Sequence, residues 1–133
     1  METIAEKAIS GNNNPFYFMK KDKIIAVATD LKSFYAELKN IPLEIFCFHA
    51  YRSIQAEISL NNEQHQLLPR CDIALWIEYS LGDTQLAQKV FRIIMTAVGE
   101  ANDLSAASKF KQLTTKKNVL SAIKERLDFF TST

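Results

Sequence analysis

Residues 72–99 constrain this chain most, because they hold two amphipathic helical periods joined by almost nothing. Ile73, Trp76, Ile77 and Leu81 recur at helical spacing behind Asp72, and Leu86, Val90, Phe91, Ile94 and Val98 do so behind Asp83 and Thr84. Between them lies only Leu81-Gly82-Asp83, where Gly82 suits a left-handed helix end and Asp83 or Thr84 a new N-terminus. Two helices so close together fold back on one another as a helical hairpin or corner, and each must bury its apolar stripe against a further element.

The other elements follow from punctuation and period. Residues 3–10 suit a short helix that ends where Gly11-Asn12-Asn13-Asn14-Pro15 breaks regular structure, so residues 1–14 read as a peripheral N-terminal arm. Phe16-Tyr17-Phe18-Met19 and Ile24-Ile25-Ala26-Val27 flank a polar Lys20-Lys21-Asp22-Lys23 and predict a β-hairpin. Thr29 or Asp30 caps a helix over 31–40. Pro42 opens a further one carrying Leu43, Phe46, Cys47, Ala50 and Tyr51, with a buried strand over 43–49 as the rival reading. Residues 53–70 read as a loop with one short helix. Asp103 starts a short helix to about Leu113, and Thr115 caps a last one to Phe130, making 103–130 a basic helix pair. The expected fold is α+β and predominantly helical, an N-terminal β-hairpin packed on a helical bundle, within a single domain over 1–133.

Composition excludes more than it assigns. The chain of 133 residues carries a net charge of +1 and three glycines, Gly11, Gly82 and Gly99, too few for a phosphate-cradling loop or a dinucleotide fingerprint. Charged residues interrupt every apolar run before it reaches membrane-spanning length, so no membrane span is expected. The N-terminus lacks the basic start and apolar run of a secretory signal, which predicts a cytoplasmic protein with Cys47 and Cys71 reduced. Cys47, His49, His65 and Cys71 match no common zinc spacing, and the acidic residues are scattered, so neither a metal nor a cofactor is expected.

Three surfaces emerge as candidates for function. Cys47 and His49 pair as nucleophile and base only if they lie on a strand, since residues two apart on a helix point about 200° apart. With no other nucleophile and base in evidence, no catalytic residue is assigned. The reading preferred is a non-enzymatic regulatory or protein-interaction module, acting on a protein partner or on a second copy as a homodimer through Phe110, Lys116, Lys117 and Phe129. A small-molecule sensor or enzyme is the alternative, with Arg52 holding an anionic group, His49 moving a proton, Asp72 beside them and Trp76 as an apolar wall. Trp76 between Ile73 and Ile77 reads first as a core anchor, and as a ligand wall only second. A second alternative is nucleic-acid binding. Residues 109–126 hold six basic side chains against Glu125, and helix, short turn and Lys-rich helix is the outline of a helix-turn-helix.

Certain fragments also fit a pattern as a set. Pro15-Phe16-Tyr17-Phe18, then Phe48-His49 with Arg52, then Asp72-Ile73-Ala74-Leu75-Trp76-Ile77 running into Gly82-Asp83-Thr84-Gln85-Leu86-Ala87 resemble a family of small prokaryotic domains of unknown function. Its motifs are Pro-Phe-x-Phe, Phe-His, Asp-Phe-x-x-Trp-Ile and Gly-Asp-x-x-Leu-Ala, and the likeness covers residues 15–91. Ile73 stands where that pattern has an aromatic, and residues 54–70 are extra length. The resemblance implies a mainly helical domain in which His49, Arg52, Asp72 and Trp76 approach one another, and it implies no reaction.

Overall fold

The computed structural model describes residues 3–58, 64–99 and 104–131. Helix α1 (Ile4–Ser10) starts at a capping box between Thr3 and Glu6 and ends at Gly11, whose φ of 72° is left-handed. The segment after it is tied down, for the Asn13 side-chain amide donates to the Lys7 carbonyl at 2.7 Å and to the Thr29 carbonyl at 2.9 Å. Strands β1 (Phe16–Lys20) and β2 (Lys23–Ala28) form the expected antiparallel hairpin, pairing Phe16 with Ala28 and Phe18 with Ala26. The strand period buries Phe16 and Phe18 and turns Tyr17 outward. Asp30 rather than Thr29 caps α2 (Leu31–Asn40), accepting the Ser33 N–H at 2.7 Å while the Ser33 hydroxyl accepts the Asp30 N–H. Residues Leu43–Ala50 are helix α3, which removes the rival strand.

The expected loop and short helix over 53–70 are instead two strands, β3 (Arg52–Ile58) and β4 (Gln64–Arg70), in a second antiparallel hairpin. Ile54, Ala56 and Ile58 alternate with Gln55 and Glu57, a two-residue period that favours a strand over a loop. Pro69 lies opposite Ser53, a position a proline tolerates because both strands of this sheet are edges.

The Cys71 sulfur, not Asp72, caps α4 (Asp72–Tyr79) by accepting the Ala74 N–H, and Asp72 is the first helical residue. Gly82 takes φ 71°, and Asp83 caps α5 (Thr84–Val98) by accepting the Leu86 N–H at 3.1 Å. The pair of basic helices expected over 103–130 is absent as a pair. Leu104–Ala106 make one 3-10 turn, and α6 runs unbroken from Lys109 to Thr131. Asp103 itself lies outside the described residues. Thr115, the expected cap, is an interior residue with 2% exposure, and its hydroxyl bonds back to the Lys111 carbonyl at 2.6 Å. Threonine offers the same oxygen to a cap or to the preceding turn, and burial against the core decides here for the second. The helix-turn-helix outline therefore has no turn.

The fold is α+β and mostly helical, with its hairpin at the N-terminal end. One apolar core joins Phe16, Phe18 and Phe34 to Trp76, Ile77, Val90, Ile94, Val119 and Ile123. No helix among the described residues is long and apolar enough to cross a membrane.

Candidate functional site

His49 is placed by the last turn of α3, 4% exposed, with its ring edge-on to Phe16 at 5.1 Å and to Phe48 at 4.9 Å. Its Nε2 accepts the Met19 backbone N–H at 2.9 Å, which makes Nδ1 the protonated nitrogen. Nδ1 in turn donates to Asp72 Oδ2 at 2.9 Å. The imidazole thus clamps the first hairpin to the start of α4. Cys47, two residues earlier on the same helix, points away from it, as helical geometry requires.

Asp72 gathers three partners. Besides His49 it accepts Arg70 Nε on Oδ1 at 2.7 Å, and Arg52 Nη2 stands 3.6 Å from Oδ2. Burial pushes its carboxyl pKa up. Hydrogen bonds from His49 and Arg70, together with the charges of Arg52 and Arg70, outweigh that and hold it below the ordinary aspartate value. Arg52 and Arg70 are directly opposite one another where β3 and β4 begin and end, so the second hairpin delivers two guanidinium groups to one carboxylate. Arg52 lies over the Phe48 ring at 4.0 Å and donates to the Phe48 carbonyl at 3.3 Å, which orients it. These residues close one end of an open groove of about 400 Å³ that runs along β1. Tyr17, Phe48 and Leu75 form its apolar walls and Lys21 its rim.

The structure brings His49, Arg52 and Asp72 together and leaves Trp76 out. Trp76 is 8% exposed and stacked on Phe34 at 5.1 Å, and its Nε1 donates to the Asn14 carbonyl at 2.7 Å. It anchors the core beneath the groove and is linked to His49 through intervening rings, Phe16 on one path and Phe34 with Phe18 on another. Sequence reasoning missed Arg70, Tyr17 and Lys21. Reading 52–70 as a hairpin would have placed Arg70 against Arg52.

The candidate partner residues divide in the same way. Phe110 is 79% and Phe129 58% exposed, and Lys117 faces solvent. Lys116 is engaged internally, for its Nζ donates to the Ile41 carbonyl at 2.8 Å across the C-terminal end of α2. Burial lowers its pKa, and the nearby Cys47 acts in the opposite sense. Among the described residues no three metal-ligating side chains converge.

The chain belongs to a Family of unknown function (DUF5752), whose model matches residues 13–129. The match reaches beyond residues 15–91 to include α5 and almost all of α6. No curated protein and no solved structure matches the chain.

Proposed function

We propose that the domain is a non-enzymatic binding module of a regulatory kind, and that it takes its ligand in the groove between the two hairpins. The observation that carries this reading is the double engagement of His49. A general base needs a ring nitrogen whose lone pair reaches the substrate, and here the Met19 amide occupies Nε2 while Asp72 holds Nδ1–H. The imidazole serves as a brace for the groove. The test is a long-range ¹H–¹⁵N spectrum of the imidazole groups in the folded protein, followed through a titration with groove ligands. Nε2 is expected to show the shift of a hydrogen-bonded acceptor throughout, with the largest backbone changes at Tyr17, Met19 and Arg52. An Nε2 that loses its Met19 bond when ligand enters would return His49 to acid–base chemistry and overturn the proposal.

A second reading, docking of a protein partner or a second copy on α6, draws on Phe110, Leu113 and Lys117. They follow one another at helical spacing, with Phe110 and Leu113 79% and 50% exposed. Its test is the mass in solution by light scattering. A dimer that Phe110→Ser converts to monomer supports it, and a wild-type monomer that captures no partner through Phe110 removes it.

A further inference from the structure

We infer that the groove takes a small organic dianion, a phosphate-monoester or dicarboxylate head on an apolar body. The inference rests on the groove reading above and names its ligand chemistry. Lys21, Arg52 and Arg70 line the groove, and among the described lining residues Asp72 is the single carboxylate, which leaves two of these positive charges unbalanced by any of them. Arg70 commits Nε to Asp72, and among the described residues its two terminal nitrogens meet no acceptor. Arg52 stands 3.6 Å from the same carboxylate, beyond hydrogen-bond length. Two guanidinium groups at directly opposed cross-strand positions repel one another, and one carboxylate relieves only part of that repulsion. A second anion beside Asp72 meets donors already fixed in place, with the forked geometry that suits carboxylate and phosphate oxygens.

The backbone of Lys21 adds to this. It sits in the two-residue loop between Lys20 and Lys23 at φ 57°, a left-handed conformation that favours glycine, and it is one of the residues lining the groove. A strained backbone position thus carries a cation at the rim of the same groove. The body of the ligand is set by the walls. Tyr17, Phe48 and Leu75 are 46%, 40% and 43% exposed, and the volume of about 400 Å³ suits a small molecule.

The experiment titrates the ¹⁵N-labelled full chain with phenyl phosphate and with benzylmalonate, using inorganic phosphate and benzyl alcohol as single-feature controls. Wild type is compared with Lys21→Gly and Arg70→Gln. Lys21→Gly removes the charge while easing the turn, so it is expected to fold at least as stably. One of the two dianions is expected to shift the Tyr17, Met19 and Arg52 amides and to weaken as salt rises. Its Kd should increase about tenfold in each variant. The dianion that binds more tightly identifies the head group. An unchanged Kd in both variants, or no groove response to either dianion at millimolar concentration, overturns the inference. Equal binding by benzyl alcohol would leave the groove as a binding site and remove the dianion. Preference for an acidic peptide such as polyglutamate over both dianions would replace the small ligand with a peptide. Responses that cluster on α6 instead would sink the groove reading itself.

Discussion

Replacing Arg126 should destabilise this protein more than replacing its partner Asp83, and the cause is unequal burial. The Asp83 side chain is 2% exposed and that of Arg126 21%. Two contacts join them, Nε to Oδ2 at 2.8 Å and Nη2 to Oδ1 at 3.2 Å, and Oδ1 also caps α5 through the Leu86 N–H. In Arg126→Met the carboxylate stays enclosed between α5 and α6 with that amide as its remaining neighbour, and an uncompensated buried charge costs about 4 kcal/mol. Methionine retains a stem to lie against Phe130, whose ring centre is 4.6 Å from the native guanidinium carbon. In Asp83→Ser the hydroxyl still caps the helix, and the partly exposed guanidinium turns toward water, for a loss of about 2 kcal/mol. Removing both groups leaves no stranded charge, so the double variant should cost about 3 kcal/mol, well short of the sum of the single losses. Urea unfolding followed by far-ultraviolet circular dichroism measures all four chains, read as midpoint shifts at constant slope. An Arg126→Met loss below about 1 kcal/mol, or a double variant equal to the sum of the singles, would refute this account of the Gly82-Asp83 corner.

Three further outcomes are expected. Asp72 is held below its unfolded pKa, so its bonds stabilise the fold above about pH 4 and are lost as the pH falls through the lower folded value. Asp72→Asn should therefore flatten the acid limb of a stability–pH curve, and an unaltered limb would contradict the network. Burial pushes the Cys71 thiol up to about 12, so at pH 8 its reaction with a disulfide reagent should run about a thousandfold slower in the native protein than in urea. Comparable rates would show the sulfur to be open. Lys116→Met keeps the stem and deletes the donor to the Ile41 carbonyl, which should cost about 1 kcal/mol in a urea melt, and a neutral result would return Lys116 to the surface.

Much of the fold was legible because its signals are local. Asp30, Gly82 and Asp83 announce helix ends within a few residues, and the Phe16 and Phe18 alternation marks the first hairpin. The second hairpin escaped because the alternation of Ile54, Ala56 and Ile58 is short and the sequence that follows it is polar. The unbroken α6 escaped because Thr114-Thr115 offers cap chemistry, while the burial that overrules it comes from elements distant in the chain. The site shows the same division. The resemblance brought His49, Arg52 and Asp72 together, which spacing alone does not do across 23 residues. Nothing local announced that Met19 would occupy the second nitrogen of His49 or that Arg70 would share Asp72, whereas Ile73 and Ile77 beside Trp76 did point to its place in the core.

Among the described residues, the second hairpin meets the groove through the rung that pairs Arg52 with Arg70. A ladder repeats every two residues, so adding or removing matched residues on both strands beyond that rung leaves its geometry as it is, whereas a slip of one residue on a single strand turns one arginine to the opposite face. The arm is thus a module of adjustable length on a fixed foot. Within this architecture it is the place where chain can be gained or lost while the charges facing Asp72 keep their positions.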